Sequence, residues 1–136
     1  MRRRLKHARR GSALIEFAGS LILLSTVFAG VFQIGYTFFA YNTLVNAIRA
    51  GARYASLHDA KAASAVAYLV VYGDLVPSPD AKPVVPGLSV GNVEVRFGTT
   101  RATVTVRGFK LDSLFSQVSL DGRPSVTFPL LSGAAK

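Results

Sequence analysis

The chain has 136 residues, half of them hydrophobic, with a formal net charge of +9 and no cysteine. That mixture fits neither a disordered tail nor an average soluble domain, and it excludes disulfides, c-type haem attachment and thiolate metal sites. Six of the sixteen Lys and Arg lie within residues 1–10, leaving ten bases against seven acids, about +3, for everything that follows. The basic pI is therefore a property of the head, which carries no aromatic to stack on a base and lies where anionic lipid is the nearest polyanion. No nucleic-acid partner is expected.

The head consists of Arg2, Arg3, Arg4, Lys6, Arg9 and Arg10, and after it a single acid, Glu16, precedes an uncharged run that lasts until Arg49. Residues 17–36 contain only Ser20, Ser25, Thr26 and Gln33 as polar side chains. Twenty such residues suffice for a helix across a hydrocarbon core of ~30 Å. A secretory signal peptide shares the basic head, but its apolar part normally spans only ~7–15 residues and ends at a small-x-small site. The crowding of Lys and Arg on the amino side predicts a single pass with that end in the cytoplasm and the carboxyl-terminal part outside.

Beyond the apolar run, Phe38, Tyr41, Leu44, Val45, Ile48, Ala52 and Ala55 recur at spacings of three and four, so the helix is expected to leave the bilayer and become amphipathic, continuous over residues 13–57. Gly19, Gly30, Gly35 and Gly51 weaken a helix in water but permit close approach of another helix. Residues 60–72 read as a second, shorter helix ended by Gly73, although the Val70-Val71-Tyr72 end also suits a strand. Four prolines (Pro77, Pro79, Pro83 and Pro86) make residues 77–91 a loop.

The period then changes to two. Val93, Val95 and Phe97 alternate with Glu94 and Arg96, and Ala102, Val104 and Val106 alternate with Thr103, Thr105 and Arg107, joined by a short hairpin loop at residues 98–101. Residues 126–130 read as a further strand after the Asp121-Gly122 turn signal, with residues 114–120 as a weaker candidate. A sheet with one apolar face needs cover, and the stripe of the long helix offers it. The expected fold class is α+β: a long N-terminal transmembrane helix that extends out of the membrane and packs on a small antiparallel sheet. The expected divisions are a basic cytoplasmic leader (1–11), a transmembrane helix (12–36) and an extracytoplasmic domain (37–136).

A cut after Gly11 would remove only the basic head, leave Ser12 as the new terminus and place Glu16 at the fifth position, with the anchor intact. Glycine before the cut suits a protease that needs an extended, unobstructed backbone. A carboxylate at the centre of a membrane segment costs on the order of 2.5–3.5 kcal/mol, less near the interface, so Glu16 calls for a partner. The free amino group of a neighbouring subunit's Ser12 would serve. Glu16 at the headgroups, favoured by the helix dipole, is the plainer alternative.

The run Arg9-Arg10-Gly11-Ser12-Ala13-Leu14-Ile15-Glu16-Phe17 resembles the prepilin peptidase site of type IVb and Flp pilins. The stretch from Gly35 to Ala55, with Tyr41, Asn42, Asn46, Arg49, Gly51, Ala52, Arg53 and Tyr54, resembles the signature of the TadE-like family, minor pseudopilins of the tight-adherence pilus system. Members often carry an acid where this chain has Gln33, an Arg where it has Tyr36 and a Glu where it has Ala50. The resemblance implies cleavage after Gly11 by an inner-membrane prepilin peptidase, then a part in assembling a Flp-type pilus for adherence with other pilin or pseudopilin subunits and the assembly machinery. It implies a bacterial inner-membrane location. Taken singly, Arg49, Gly51 and Arg53 also read as a solvated helix face with one close-packing glycine.

His58 beside Asp59 is the one pairing that hints at a metal or catalytic site, but the other histidine, His7, falls on the opposite side of the membrane. Neither a phosphate loop nor a nucleophile elbow is present. The expectation is a non-enzymatic protein with no cofactor or metal; the alternative is a single-pass, membrane-tethered extracytoplasmic binding module not processed at Gly11.

Overall fold

The computed structural model describes residues 5–112 and 117–131, and side chains from residue 11 onward. Helix α1 (Leu5–Leu57) is followed by a 3-10 turn (Ala60–Ala62), helix α2 (Ala63–Tyr72) and a second 3-10 turn (Val90–Asn92). Strands β1 (Val93–Phe97), β2 (Arg101–Val106), β3 (Phe109–Asp112), β4 (Gln117–Leu120) and β5 (Ser125–Pro129) complete it. The chain forms two compact units, Met1–Gly35 and Tyr36–Lys136.

In the first unit, every side chain from residue 11 to residue 28 is exposed, including Leu14, Ile15, Phe17 and Phe28. A helix this apolar with none of its most apolar stretch buried is long enough to cross a membrane, which suggests a single-pass membrane protein. Ser20 and Thr26 donate their hydroxyls to the carbonyls of Glu16 and Ile22, four residues back, so neither adds an unsatisfied polar group to that surface.

In the second unit, α1 buries Ala40, Leu44, Ile48, Ala52 and Ala55, one stripe at helical spacing, in a cluster with Val66, Val70 and Val71 of α2 and Ala102, Val104 and Val106 of β2. Each fully buried Val, Leu or Ile side chain contributes about 1.5–3 kcal/mol, so this seam is the main source of the domain's stability. The α+β arrangement expected from the sequence is the one observed. Helix α2 stops where Gly73 takes a left-handed conformation (φ 74°) and its N–H bonds the Leu69 carbonyl. The proline-bearing loop is pinned by the Val84 N–H to the Val71 carbonyl at 2.8 Å, and it buries Val85 and Leu88.

The main sheet is antiparallel in the order β1-β2-β5, with Val95 opposite Val104 and Val104 opposite Val126. Its other face is hydroxyl-rich: Thr103 bonds Thr127 at 2.9 Å and Thr105 bonds Ser125 at 2.8 Å. Strands β3 and β4 form a separate two-stranded ladder. The sequence alone predicts no strand at residues 109–112, because two alternations directly after Gly108 are too short a signal. The weaker candidate at residues 114–120 is realised as β4 from Gln117; residues 114–116 lie outside the described residues, as do Arg2, Arg3 and Arg4 of the basic head.

On β1, Glu94 accepts from the Nε of Arg96 and of Arg107, both at 2.6 Å, with both arginines more than half exposed. Solvent-exposed pairs of this kind are worth roughly 0–1 kcal/mol. Glu94→Gln is therefore expected to lower stability by less than ~1 kcal/mol at low salt and by nothing measurable in roughly 1 M salt, where screening is nearly complete. Thermal melts of both forms at the two ionic strengths check it.

Candidate functional site

The cleavage, pairing and signature residues singled out in the sequence all fall on α1, and the structure divides them into two groups by unit. Gly11, Ser12, Glu16 and Phe17 belong to the first, where all four are exposed. The Ser12 hydroxyl donates to Glu16 Oε1 at 3.4 Å, one helical turn along, a distance at which a hydrogen bond is weak. The helix runs unbroken through Gly11 and Ser12, so the extended backbone expected at the cut is not the conformation found. Glycine nonetheless lowers the cost of unwinding here, since it is worth about 1 kcal/mol less than alanine in a helix.

In the second unit the signature residues separate by depth. Gly51 and Ala52 are buried, and a methyl group placed on Gly51 would collide with Cγ2 of Val70 and come within 3.4 Å of Cγ1 of Val66. Gly51 thus marks a place where α1 and α2 approach too closely to admit a side chain. Gly19, Gly30 and Gly35, which share its sequence appearance, have no neighbouring atom within 4 Å of such a methyl. Tyr54 is half-buried and stacks on His58, with ring centroids 3.9 Å apart, and the Tyr54 carbonyl meets Nδ1 of His58 at 2.9 Å. His58 is therefore engaged in finishing the helix, and among the described residues no group of three or more His, Asp or Glu side chains is placed to hold a metal.

Asn42 donates its amide to the Phe38 carbonyl, while Asn46, Arg49 and Arg53 face outward. Arg49 and Arg53, one turn apart, enter no ion pair among the described residues. They line a groove of about 530 Å³ with Ala50, Leu57, Leu69 and Phe128. A second groove, of about 430 Å³, shares Arg49 and continues past Tyr41 and Val45 along Arg123, Ser125 and Val126. The sequence singles out the arginines but not this groove, because its other wall is β5, more than seventy residues away in the chain.

These features define a class, a single-pass membrane protein with an apolar amino-terminal helix in one unit and an α+β domain with a small antiparallel sheet in the other. Residues 11–53 match the model of the family described as TadE-like protein, the family whose resemblance the sequence carries. The match suggests a membrane protein related to the tight-adherence pilus. No curated protein and no solved structure matches the chain.

Proposed function

We propose that this chain is a pseudopilin-like subunit of the bacterial inner membrane, cut after Gly11 by a prepilin peptidase, that takes part in assembling a Flp-type, tight-adherence pilus. The observation that carries the reading is the TadE-like match over residues 11–53, which begins at the very glycine that precedes the proposed cut. The apolar surface of residues 12–36 and the acid at Glu16 support it, because a subunit released from its basic head would keep both its anchor and the charged group available to a neighbour. The basic head supports a cytoplasmic amino end. The role is non-enzymatic, and its partners are the peptidase, other pilin or pseudopilin subunits and the assembly machinery.

The tethered binding module draws less support. The aromatic side chains on its strands, Phe97, Phe109 and Phe128, all pack into or against the core, which leaves the open face of the main sheet without an aromatic platform.

Intact mass of the protein extracted from membranes of cells that express a matching prepilin peptidase tests the reading. A chain that begins at Ser12 is expected, and it should revert to the full-length mass when the peptidase is absent. A chain that still begins at Met1 beside an active peptidase would remove the processing step and return the tethered module to first place.

A further inference from the structure

The two grooves that share Arg49 follow one another along a single side of α1, between residues 41 and 57, with β5 as the facing wall. Strand β5 has a neighbour on one side only among the described residues. The charged groups that line this trough are Arg49, Arg53 and Arg123, all exposed and none in an ion pair among the described residues; no acid lines it. Apolar side chains alternate with them: Tyr41, Val45, Leu57, Val126 and Phe128. A surface of that make-up fits a segment that is both apolar and acidic.

The chain itself carries one. Directly after α2 come Asp74, Leu75, Val76, Pro77, Ser78, Pro79 and Asp80. Val76 is 83% exposed and Leu75 37%, and neither carboxylate enters an ion pair among the described residues. The two prolines restrict the backbone before any contact is made, which lowers the entropy lost on docking.

Position favours a contact between molecules. Val70, which meets Gly51, lies close to the end of α2, so the acidic segment begins near the level on α1 that carries Arg49 and Arg53. Two copies side by side would present segment and trough at similar levels along the second-unit part of α1. Helix α2 packs along β1 and its Leu69 reaches the rim of the trough, whose other wall is β5, the opposite edge of the sheet. Residues 75–79 line a different groove, with Tyr68 and Tyr72, that shares no residue with the trough, so segment and trough are distinct patches of one molecule. A contact between unlike patches is heterologous, and it leaves each end of a pair free to add another copy.

We infer that the trough between α1 and β5 receives residues 74–80 of a second copy of this chain, with Arg49, Arg53 and Arg123 facing Asp74 and Asp80 and with Leu75 and Val76 against the apolar lining. As a step in pilus assembly the contact rests on the function proposed above; as a contact it does not.

The absence of native cysteine makes the test direct. Ala50→Cys in the trough and Val76→Cys in the segment both alter exposed positions. In membranes holding the full chain, the double variant under a mild oxidant is expected to give a ladder of dimers, trimers and higher species. Arg49→Glu with Arg53→Glu in that background should cut the ladder by roughly tenfold, since like charges would then face each other. Asp74→Arg with Asp80→Arg added to the reversed chain should restore it.

The inference is overturned if the ladder is no stronger than that from a Lys110→Cys and Val76→Cys control, if charge reversal leaves it unchanged, or if Ala50→Cys alone gives the same dimer, which would mean trough against trough. The mass of the amino terminus is read from the same membranes. A cut chain without a ladder removes the contact alone, and an uncut chain with a charge-sensitive ladder removes the processing step and keeps the contact.

Discussion

Gly51→Ala should lower the melting temperature of the domain at residues 36–136, even though alanine is the better helix former. Replacing a mid-helix glycine by alanine normally gains about 1 kcal/mol. Here the added methyl would enter the space of Val70 Cγ2, a fully buried atom on a side chain with one strongly preferred rotamer in a helix. Val70 cannot turn aside, so α2 must shift, and overpacking of that kind costs about 1–3 kcal/mol. The clash outweighs the gain in helix propensity by about 1 kcal/mol, which corresponds to a fall of roughly 4–8 °C for a domain of this size.

A second substitution separates the clash from the change in helix propensity. Val70→Ala alone should cost about 2 kcal/mol in lost burial, but combined with Gly51→Ala it opens the space that the new methyl fills. The pair should therefore be more stable than the sum of the singles by on the order of 1 kcal/mol. Gly35→Ala, where no atom lies within 4 Å of the added methyl, should leave the domain's melting unchanged. Thermal unfolding of the full chain in detergent micelles, followed by circular dichroism, reads all four. A raised melting temperature for Gly51→Ala, or strict additivity of the pair, would mean that the α1–α2 contact is not set at Gly51.

Gly51 also marks how far the sequence can be read. The spacing of Leu44, Ile48, Ala52 and Ala55 announces an apolar helix face, and the alternation in residues 93–97 and 102–106 announces a two-stranded ladder; both are local patterns with a period of their own. Which of four similar glycines meets another helix is not a local property. It depends on α2 folding back through a short turn, and only then does Gly51 differ from Gly19, Gly30 and Gly35. Strand β3 is hidden, and β4 only faintly visible, for another reason: four-residue strands offer two alternations, no more than chance supplies. The arginine-lined trough exists only once β5 lies beside α1, so the sequence shows Arg49 and Arg53 as exposed and basic but not as one wall of a groove.

Glu16→Leu is expected to leave membrane insertion and the cut after Gly11 intact while abolishing entry into the pilus. Among the described residues, the carboxylate has only the long 3.4 Å contact from the Ser12 hydroxyl, and the side chains around it are apolar and exposed. In lipid that is a net cost, on the order of 2.5–3.5 kcal/mol at the bilayer centre and less toward the interface, so leucine should insert at least as well. A residue that opposes insertion calls for a later use, and under the proposed cut after Gly11 the amino group freed at Ser12 would be the complementary charge.

If that amino group pairs with Glu16 of a neighbour, its loss leaves an uncompensated charge in a low-dielectric contact. The penalty is about 3–5 kcal/mol, more than two orders of magnitude in the association constant. Glu16→Gln keeps the shape and a hydrogen-bonding oxygen but not the charge, so it should fail nearly as fully, whereas Glu16→Asp should retain part of the function. Intact mass of the membrane-extracted protein and counts of pili per cell are read side by side. Normal piliation by Glu16→Leu would exclude the pairing and leave Glu16 as an acid at the headgroups, where a helix amino terminus favours it by only about 0.3–1 kcal/mol. A loss confined to the uncut protein would instead place Glu16 in recognition by the peptidase. Only a cut, inserted and assembly-dead chain identifies the carboxylate as a contact between subunits.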